Sequence, residues 1–194
     1  MNALAQDEGL HALSQDLFFH VSESFFGHFR SRNREVQMTE LKPSAIQLQQ
    51  LGHWVCLELV LGQGFQILFM LYFKSSALCS LLKEKNSSDL ETAIDLAKEL
   101  LNWCTGTLKQ EFQNAGLPLT CSYPVCTRAF DTLLYKVDQE FEFMHWQFDD
   151  GGHKALLASR LEVVDYDLTF EALTKLLHAN QALKNASNSG IEML

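Results

Sequence analysis

Apolar residues recur every three or four positions in the first part of the chain, beginning with Leu10, Leu13 and Leu17. The same spacing continues through Val21 and Phe25. It predicts an amphipathic helix over the first thirty or so residues. The basic run Arg30 to Arg34 suits the end of this helix, because positive charge is favourable near a helix C-terminus.

Strand-forming residues dominate the next part of the chain. Val36, Met38 and Glu40-Leu41 suggest a modest strand, which Lys42-Pro43-Ser44 interrupts. Two longer runs follow, Trp54 to Leu61 and Phe65 to Phe73, separated only by Gly62-Gln63-Gly64. The pattern predicts a β-hairpin. The two glycines could instead suggest a phosphate-binding loop, but the wider glycine pattern and the following helix that such a loop needs are missing.

Two helices are predicted after the hairpin. Ser75 or Ser76 can cap a short helix through Leu82. The second and longer helix is predicted from Ser88 to Asn114, where Ser88 and Glu91 have the spacing of a capping box. Asn114-Ala115-Gly116 then provides a stop signal.

The remaining segments read as strands and a final helix. We expect strands at Leu119 to Cys126, Glu140 to Phe148 and Lys154 to Val164, then a helix from Thr169 to about Leu183. Strands grouped in this way predict an α+β fold with a mostly antiparallel sheet of about six strands packed against long helices. Residues 1–183 should form a single domain, and the polar residues 184–194 a flexible tail.

Composition limits the classes of function. The formal net charge of −9 disfavours nucleic acid as a partner, and no apolar run is long enough to span a membrane as a helix. Five cysteines without a CxxC pair indicate a reducing compartment, and the first residues lack a secretory signal, so we expect a cytoplasmic protein. We expect no metal site, because the histidines form no HxH or HxxxH pair and Cys121 and Cys126 should point to opposite strand faces.

The long helix has two distinct faces. One face is an apolar stripe formed by Ala97, Leu101, Cys104 and Leu108. At about 100° per residue, these four side chains fall within an arc of roughly 60° around the helix axis. The second face is a cluster formed by Asp95, Glu99, Asn102 and Gly106. It lies about opposite the apolar stripe and should face outward. These residues could simply be the solvated side of an amphipathic helix. However, Asn102 and Gly106 are poor choices for a helix interior, and a glycine lets another surface approach the backbone closely.

The spacing of Asp95, Glu99, Asn102 and Pro124 resembles the motif of the CheC, CheX and FliY phosphatases of bacterial chemotaxis. That motif is an acidic residue or Ser, three residues, Glu, two residues, Asn, and a proline a little over twenty residues later. The order of elements on both sides is also similar, and CheX is the most similar member. CheC carries the motif twice, whereas the first helix here offers only Asp16, His20 and Glu23 at that spacing.

The resemblance implies a function and a set of partners. The substrate would be a phosphorylated CheY-like response regulator, which holds phosphate on an aspartate and supplies its own Mg²⁺, so this chain would need no cofactor. Asn102 would be catalytic by aligning the attacking water, Glu99 would pair with a lysine of the regulator, and Asp95 and Gly106 would support partner binding. The resemblance also implies a homodimer. The alternative is a non-catalytic module of the same fold that binds a response regulator or acts as an adaptor.

Overall fold

The computed structural model describes residues 3–42, 53–84, 89–129 and 143–189. The described elements alternate in groups of helices and strands. They are α1 (Ala3–Arg32), β1 (Gln37–Leu41), β2 (Trp54–Leu61), β3 (Phe65–Phe73), α2 (Ser75–Leu81), α3 (Leu90–Asn114), β4 (Thr120–Cys121), β5 (Val125–Arg128), β6 (Phe143–Asp149), β7 (Lys154–Val163) and α4 (Tyr166–Ser189). This order confirms the predicted α+β class.

The described strands form one seven-stranded sheet in the order β1-β6-β7-β3-β2-β4, and β5 also pairs with β2. Every pairing among the described strands is antiparallel. The β2–β3 hairpin has the predicted bounds and pairs Trp54 with Phe73. The expectation of a mostly antiparallel sheet of about six strands is therefore confirmed, with a small difference in strand number.

The helices pack on one face of the sheet around a continuous apolar core. Aromatic side chains join the two layers: Phe18 of α1 meets Phe69 of β3 edge to face, and Phe29 stacks on Phe148 of β6 at 4.8 Å between ring centroids. A smaller cluster around Val55, Met70 and Leu156 lies on the opposite face. Strand alternation explains this division, because successive side chains point to opposite faces.

The backbone conformation and the surroundings of Gly64 explain why the hairpin turn needs a glycine at this position. Its φ is +82°, and a Cβ there would lie 2.7 Å from the Cβ of Leu168. Its carbonyl accepts hydrogen bonds from the Asp165 N–H and from the Thr169 hydroxyl at the beginning of α4. The Gly62-Gln63-Gly64 segment is thus a turn held against a helix, which supports the hairpin over the phosphate-loop interpretation.

Three predicted boundaries were wrong. The single strand expected over Leu119 to Cys126 is divided into β4 and β5, because the register against β2 shifts by one residue at Ser122-Tyr123-Pro124, although the Ser122 N–H still donates to the Leu59 carbonyl. The last helix begins at Tyr166 rather than Thr169, since the Asp165 carboxylate accepts from the Leu168 N–H. It also extends past Leu183 to Ser189, so residues 184–189 of the expected tail are helical.

The short helix α2 also begins differently from the prediction. Its N-cap is Lys74, which makes no side-chain capping bond, rather than Ser75 or Ser76. Several other predictions fall on residues outside the described ranges: Pro43-Ser44, Ser88, residues 140–142 of the predicted strand, and residues 190–194 of the tail.

Candidate functional site

Helix α3 is fixed at its first turn by Asp89. The Asp89 carboxylate accepts from the N–H groups of Glu91 and Thr92, which satisfies donors that have no partner within the helix. The N-cap is therefore Asp89 and not Ser88 as predicted. The predicted apolar stripe of Ala97, Leu101, Cys104 and Leu108 is buried against the core, so the rotation of the helix about its axis is set.

The opposite side of α3 carries the four residues of the predicted site. Asp95, Glu99, Asn102 and Gly106 are all exposed, and we call them the motif face. The Asn102 carboxamide makes no hydrogen bond to another described residue. A Cβ built on Gly106 would meet nothing within 4 Å. The predicted exposure is confirmed, whereas the roles of these residues stay predictions.

Helix α1 borders one side of the motif face. The Arg32 guanidinium lies 3.8 Å from the Glu99 carboxylate, and both side chains are substantially exposed. The His28 ring lies 5.2 Å from the ring of Trp103, which is itself 45% exposed. Burial, followed by the charge of Arg32, lowers the pKa of His28. The sequence predicted a basic end for α1 but gave no indication that this end reaches Glu99.

The β4–β5 segment borders the other side. Cys121 Sγ lies 3.9 Å from the Thr105 carbonyl oxygen, and Cys126 Sγ lies 3.9 Å from the Ile94 carbonyl oxygen, so the segment runs alongside α3. The prediction that these two cysteines point to opposite strand faces was wrong, because the one-residue shift of register between β4 and β5 turns both toward the helices. Pro124 is buried at the break between the strands. Its neighbours Tyr123 and Val125 are 90% and 59% exposed.

The motif face thus lies between two exposed aromatic residues, Trp103 and Tyr123. Exposed aromatic side chains are enriched at protein–protein interfaces because they bury a large apolar area while losing little conformational freedom. A polar centre that carries a free carboxamide and a bare glycine backbone can receive a second protein. Tyr123 was not selected from the sequence, although its position next to the motif proline was an available signal.

A buried carboxyl group lies under the same helix. Glu58 of β2 is 1% exposed, and its Oε1 accepts from the Thr105 hydroxyl at 2.8 Å. Its Oε2 has no hydrogen-bond partner among the described residues. Burial raises the pKa of Glu58 to about 7, although the Thr105 hydrogen bond opposes the shift. Sequence reasoning missed this residue because Glu58 lies within a run of strand formers.

The corresponding positions on α1 form a different environment. Asp16, His20 and Glu23 line a groove of about 490 Å³ together with Leu177 and Asn180 of α4. His20 Nε2 lies 2.7 Å from Glu111 Oε1 of α3. These three α1 residues therefore line a groove beside α4 and do not share the motif face.

The described part of the chain contains neither a cluster of metal ligands nor a helix suited to a membrane. Within residues 3–42, 53–84, 89–129 and 143–189, no three His, Cys, Asp or Glu side chains form a group that could hold a metal ion. The described helices include none with the length and apolar character needed to cross a bilayer. The motif face itself carries a carboxamide, two carboxylates and an accessible helix backbone.

Comparison of the sequence with family models and with curated proteins gives no match. Comparison with solved structures does give matches. CheX from Vibrio vulnificus is 14% identical with a TM-score of 0.54, over 73% of this chain and 96% of that chain. A chain of the CheX–CheY–BeF3–Mg²⁺ complex from Borrelia burgdorferi is 11% identical with a TM-score of 0.52, over 72% of this chain and 93% of that one.

A third similar structure covers more of this chain. It comes from the FliM–SpeE complex of H. pylori and is 10% identical with a TM-score of 0.51, over 93% of this chain and 98% of that chain. At these identities the likeness is one of fold, and it agrees with the antiparallel sheet and the helices packed on it. The chain therefore has the fold of the CheC and CheX chemotaxis proteins.

Proposed function

We propose that this protein is a phosphatase that hydrolyses the aspartyl phosphate of a CheY-like response regulator, with the motif face of α3 as its working surface. The observation that carries the proposal is the exposure of Asp95, Glu99, Asn102 and Gly106 in one row, with no hydrogen bond from the Asn102 carboxamide to another described residue. The fold shared with CheX, one of whose structures is a CheX–CheY complex, supports it.

In the proposed reaction a water molecule attacks phosphorus, and the aspartate oxygen of the regulator leaves. The Asn102 carboxamide can accept a hydrogen bond from this water and donate another, which would hold it in line with the bond that breaks. A glutamine does comparable work in GTP hydrolysis. Asn102 does not titrate, so its contribution is positioning. The Mg²⁺ required for the reaction belongs to the regulator in this proposal.

The other residues of the face are assigned to docking. Glu99 would leave its loose contact with Arg32 and pair with a lysine of the regulator. Asp95 would add negative charge at the periphery. Gly106 would let the partner approach the helix backbone, since the space above it is open. Trp103 and Tyr123 would bury apolar area against the partner on the two sides of the face.

The test mixes the protein with a phosphorylated response regulator and Mg²⁺ and measures phosphate release against the regulator's own decay. We expect Asn102→Ala to reduce release by about a hundredfold or more, judged from the loss of comparable positioning groups. Thermal stability should hardly change because the side chain is exposed. The matched control is Gln113→Ala, which removes another exposed amide from α3 and should retain full activity. Equal activity of Asn102→Ala and wild type would contradict the catalytic assignment.

A second candidate function is a binding module without catalysis. It is favoured by the match to a chain of the FliM–SpeE complex, which covers more of this chain than the CheX structures do. In that case the protein would bind a response regulator, or act as an adaptor, through the same face. Stoichiometric binding of the phosphorylated regulator without faster phosphate release would identify the module.

Cellular location and oligomeric state are also part of the proposed function. We expect the protein to act in the cytoplasm, where phosphorylated response regulators are found, and to form a homodimer in which sheets join across the subunits. Within the described residues, both sheet edges are formed by short strands, β1 at one end and β4 with β5 at the other. Of these two described edges, the one formed by β4 and β5 borders the motif face, so a dimer joined through β1 would leave that face open.

A further inference from the structure

Two cysteines that are far apart in sequence face each other across neighbouring strands. Cys56 of β2 is directly paired with Cys126 of β5 in the antiparallel register. Cys56 is fully buried in the core on the helix side of the sheet, and Cys126 is partly buried against the same core. Both thiols are free. The proposed phosphatase reaction uses neither of them.

The hydrogen-bond pattern identifies the kind of pair that they form. The Ala129 N–H donates to the His53 carbonyl at 3.0 Å, which makes His53 and Ala129 a hydrogen-bonded pair just beyond the ends of the strands. Bonded and non-bonded pairs alternate along an antiparallel ladder. Counting inward, Trp54–Arg128 is non-bonded, Val55–Thr127 is bonded, and Cys56–Cys126 is non-bonded.

This alternation matters because non-bonded pairs are the closer ones, with Cα atoms about 4.5 Å apart against about 5.5 Å for bonded pairs. Disulfides span Cα separations of about 4.4–6.8 Å. The contact of the Arg128 guanidinium with the Trp54 ring, at 5.8 Å, shows that the adjacent non-bonded pair also brings its side chains together. The backbone therefore already has a spacing that a disulfide can bridge.

We propose that Cys56 and Cys126 are a redox modification site. A small-molecule disulfide such as oxidised glutathione oxidises the two thiols to a disulfide bond that links β5 to β2. The inference is independent of the proposed phosphatase activity, because it concerns thiol chemistry within the sheet. The site lies next to α3, since Cys126 Sγ is 3.9 Å from the Ile94 carbonyl and Ile94 directly precedes Asp95 of the motif face.

The environments of the two thiols indicate which one reacts first with the oxidant. The Cys56 thiol and the nearby Lys98 ammonium both lower the pKa of Cys126, whereas the hydrogen bond to Cys126 and burial raise the pKa of Cys56. The thiolate is the reactive form of cysteine, and Cys126 is also the more accessible of the two. Cys126 is thus the attacking thiol and Cys56 the resolving one.

The chemistry balances in two exchanges. The Cys126 thiolate attacks one sulfur of oxidised glutathione, which breaks the glutathione S–S bond and releases one glutathione thiolate. Cys56 then loses its proton and attacks Cys126 Sγ, which forms the Cys56–Cys126 bond and releases the second glutathione. The protons of the two thiols end on the two released glutathione molecules. The protein is oxidised by two electrons, and the oxidant is reduced by two.

The experiment equilibrates the full-length reduced protein in glutathione buffers, quenches it with acid, blocks the remaining thiols and determines intact mass and a peptide map. With oxidised glutathione in about tenfold excess, we expect at least half of the chains to have lost two hydrogen atoms and to contain the Cys56–Cys126 link. Cys56→Ser should stop at a glutathione adduct on Cys126, because the resolving thiol is absent. Cys126→Ser should gain neither the link nor an adduct at Cys56.

The control variant is Cys79→Ser, which replaces a buried cysteine of α2 and should form the Cys56–Cys126 link as the wild type does. Cys104 and Cys121 are also free, and they compete with Cys56 and Cys126 for disulfide formation within the same chain. A wild-type map with no link, or with a link that joins Cys104 or Cys121 instead, would overturn the proposal. The wild-type map suffices for this decision if a variant folds poorly.

Discussion

Glu99 already has an oppositely charged neighbour within the chain, the Arg32 guanidinium at 3.8 Å. Because both side chains are substantially exposed, this pair contributes little to stability. The free energy of unfolding should change by less than about 0.5 kcal/mol in Arg32→Ala. The carboxylate of Glu99 is thus available to exchange Arg32 for a cation of the partner at small cost.

We predict that Glu99→Gln weakens binding of the phosphorylated regulator by about threefold to tenfold at low salt, since an exposed charge pair would be lost. The effect should shrink as ionic strength rises, because salt screens such pairs. Titration calorimetry at several salt concentrations measures both. The control is Glu171→Gln on α4, where the carboxylate also pairs with a basic side chain, that of Lys175. A loss of affinity that is independent of salt would argue against the ion-pair role.

Gly106 gives a prediction in which stability and binding change in opposite directions. A Cβ at this position meets nothing within 4 Å, so Gly106→Ala should stabilise the folded chain by about 1 kcal/mol through helix propensity and the entropy of the unfolded chain. The added methyl group would obstruct close approach to the backbone, and regulator binding should weaken by about threefold or more. Urea unfolding and a binding titration measure the two effects.

Gly27 of α1 offers a matched control for that experiment. It is also exposed within a helix, and a Cβ there also meets nothing within 4 Å. Gly27→Ala should therefore raise stability by a similar amount and leave regulator binding unchanged. If Gly106→Ala behaved like Gly27→Ala in both measurements, the glycine would have no role in docking.

At the scale of elements, β2 and α3 are joined by the buried hydrogen bond between Glu58 and Thr105. The pKa of Glu58 is raised to about 7 in the folded chain, chiefly by burial. The unfolded chain releases this proton near the ordinary value for Glu, at about pH 4.3. Between these values the folded chain binds more protons than the unfolded one, so stability falls as pH rises through this window.

We therefore predict that stability decreases between about pH 5 and pH 7 by an amount on the order of 2 kcal/mol that is attributable to Glu58. Glu58→Gln keeps an acceptor for Thr105 and cannot ionise, so it should abolish this part of the decrease and be more stable than wild type above pH 7. Urea unfolding across the pH range is the measurement. Glu35→Gln, at an exposed carboxylate, should retain the wild-type profile.

Elements set by local chemistry were predicted from the sequence. The β2–β3 hairpin has its predicted bounds because two runs of strand formers flank a turn that contains Gly64 with positive φ. The exposed face of α3 was predicted because helical periodicity alone determines which side chains oppose the apolar stripe. The split between β4 and β5 was missed, since one proline within a run of strand-forming residues was outweighed by its neighbours. The beginning of α4 was missed because Asp165 was not recognised as a cap.

At the scale of the whole molecule, features that depend on distant contacts could not be read from the sequence. Nothing local to Arg32 indicates that it lies near Glu99, and nothing local to Cys126 indicates that it is paired with Cys56. Such neighbours are created by strand order and helix packing, which a single sequence does not specify. The common exposed face of Asp95, Glu99, Asn102 and Gly106 was therefore predictable, whereas the positions of Trp103, Tyr123 and Glu58 relative to that face follow only from the tertiary structure.

The dimer implied by the resemblance can be tested through β1, which lies at one edge of the sheet formed by the described strands and pairs there with β6. Backbone N–H groups along an edge strand point alternately toward the neighbour and toward the free side, so adjacent residues differ in direction. Thr39 and Glu40 are adjacent, exposed residues of β1. If sheets join through this edge, a proline at one of the two positions removes a hydrogen bond between subunits, and a proline at the other removes one to β6.

We predict that sedimentation equilibrium gives the wild type a mass twice the 22.1 kDa of one chain. Of Thr39→Pro and Glu40→Pro, one should shift the protein to monomer with little change in melting temperature beyond that caused by dissociation. The other should lower the melting temperature by disrupting the β1–β6 ladder. Asn102→Ala is the control and should remain dimeric, because the motif face borders the opposite end of the sheet. If both proline variants remain dimeric, β1 is not the edge that joins the subunits, and β4 and β5 become the candidates. A dimer joined through β4 and β5 would compete with the regulator for the side of the motif face that carries Tyr123.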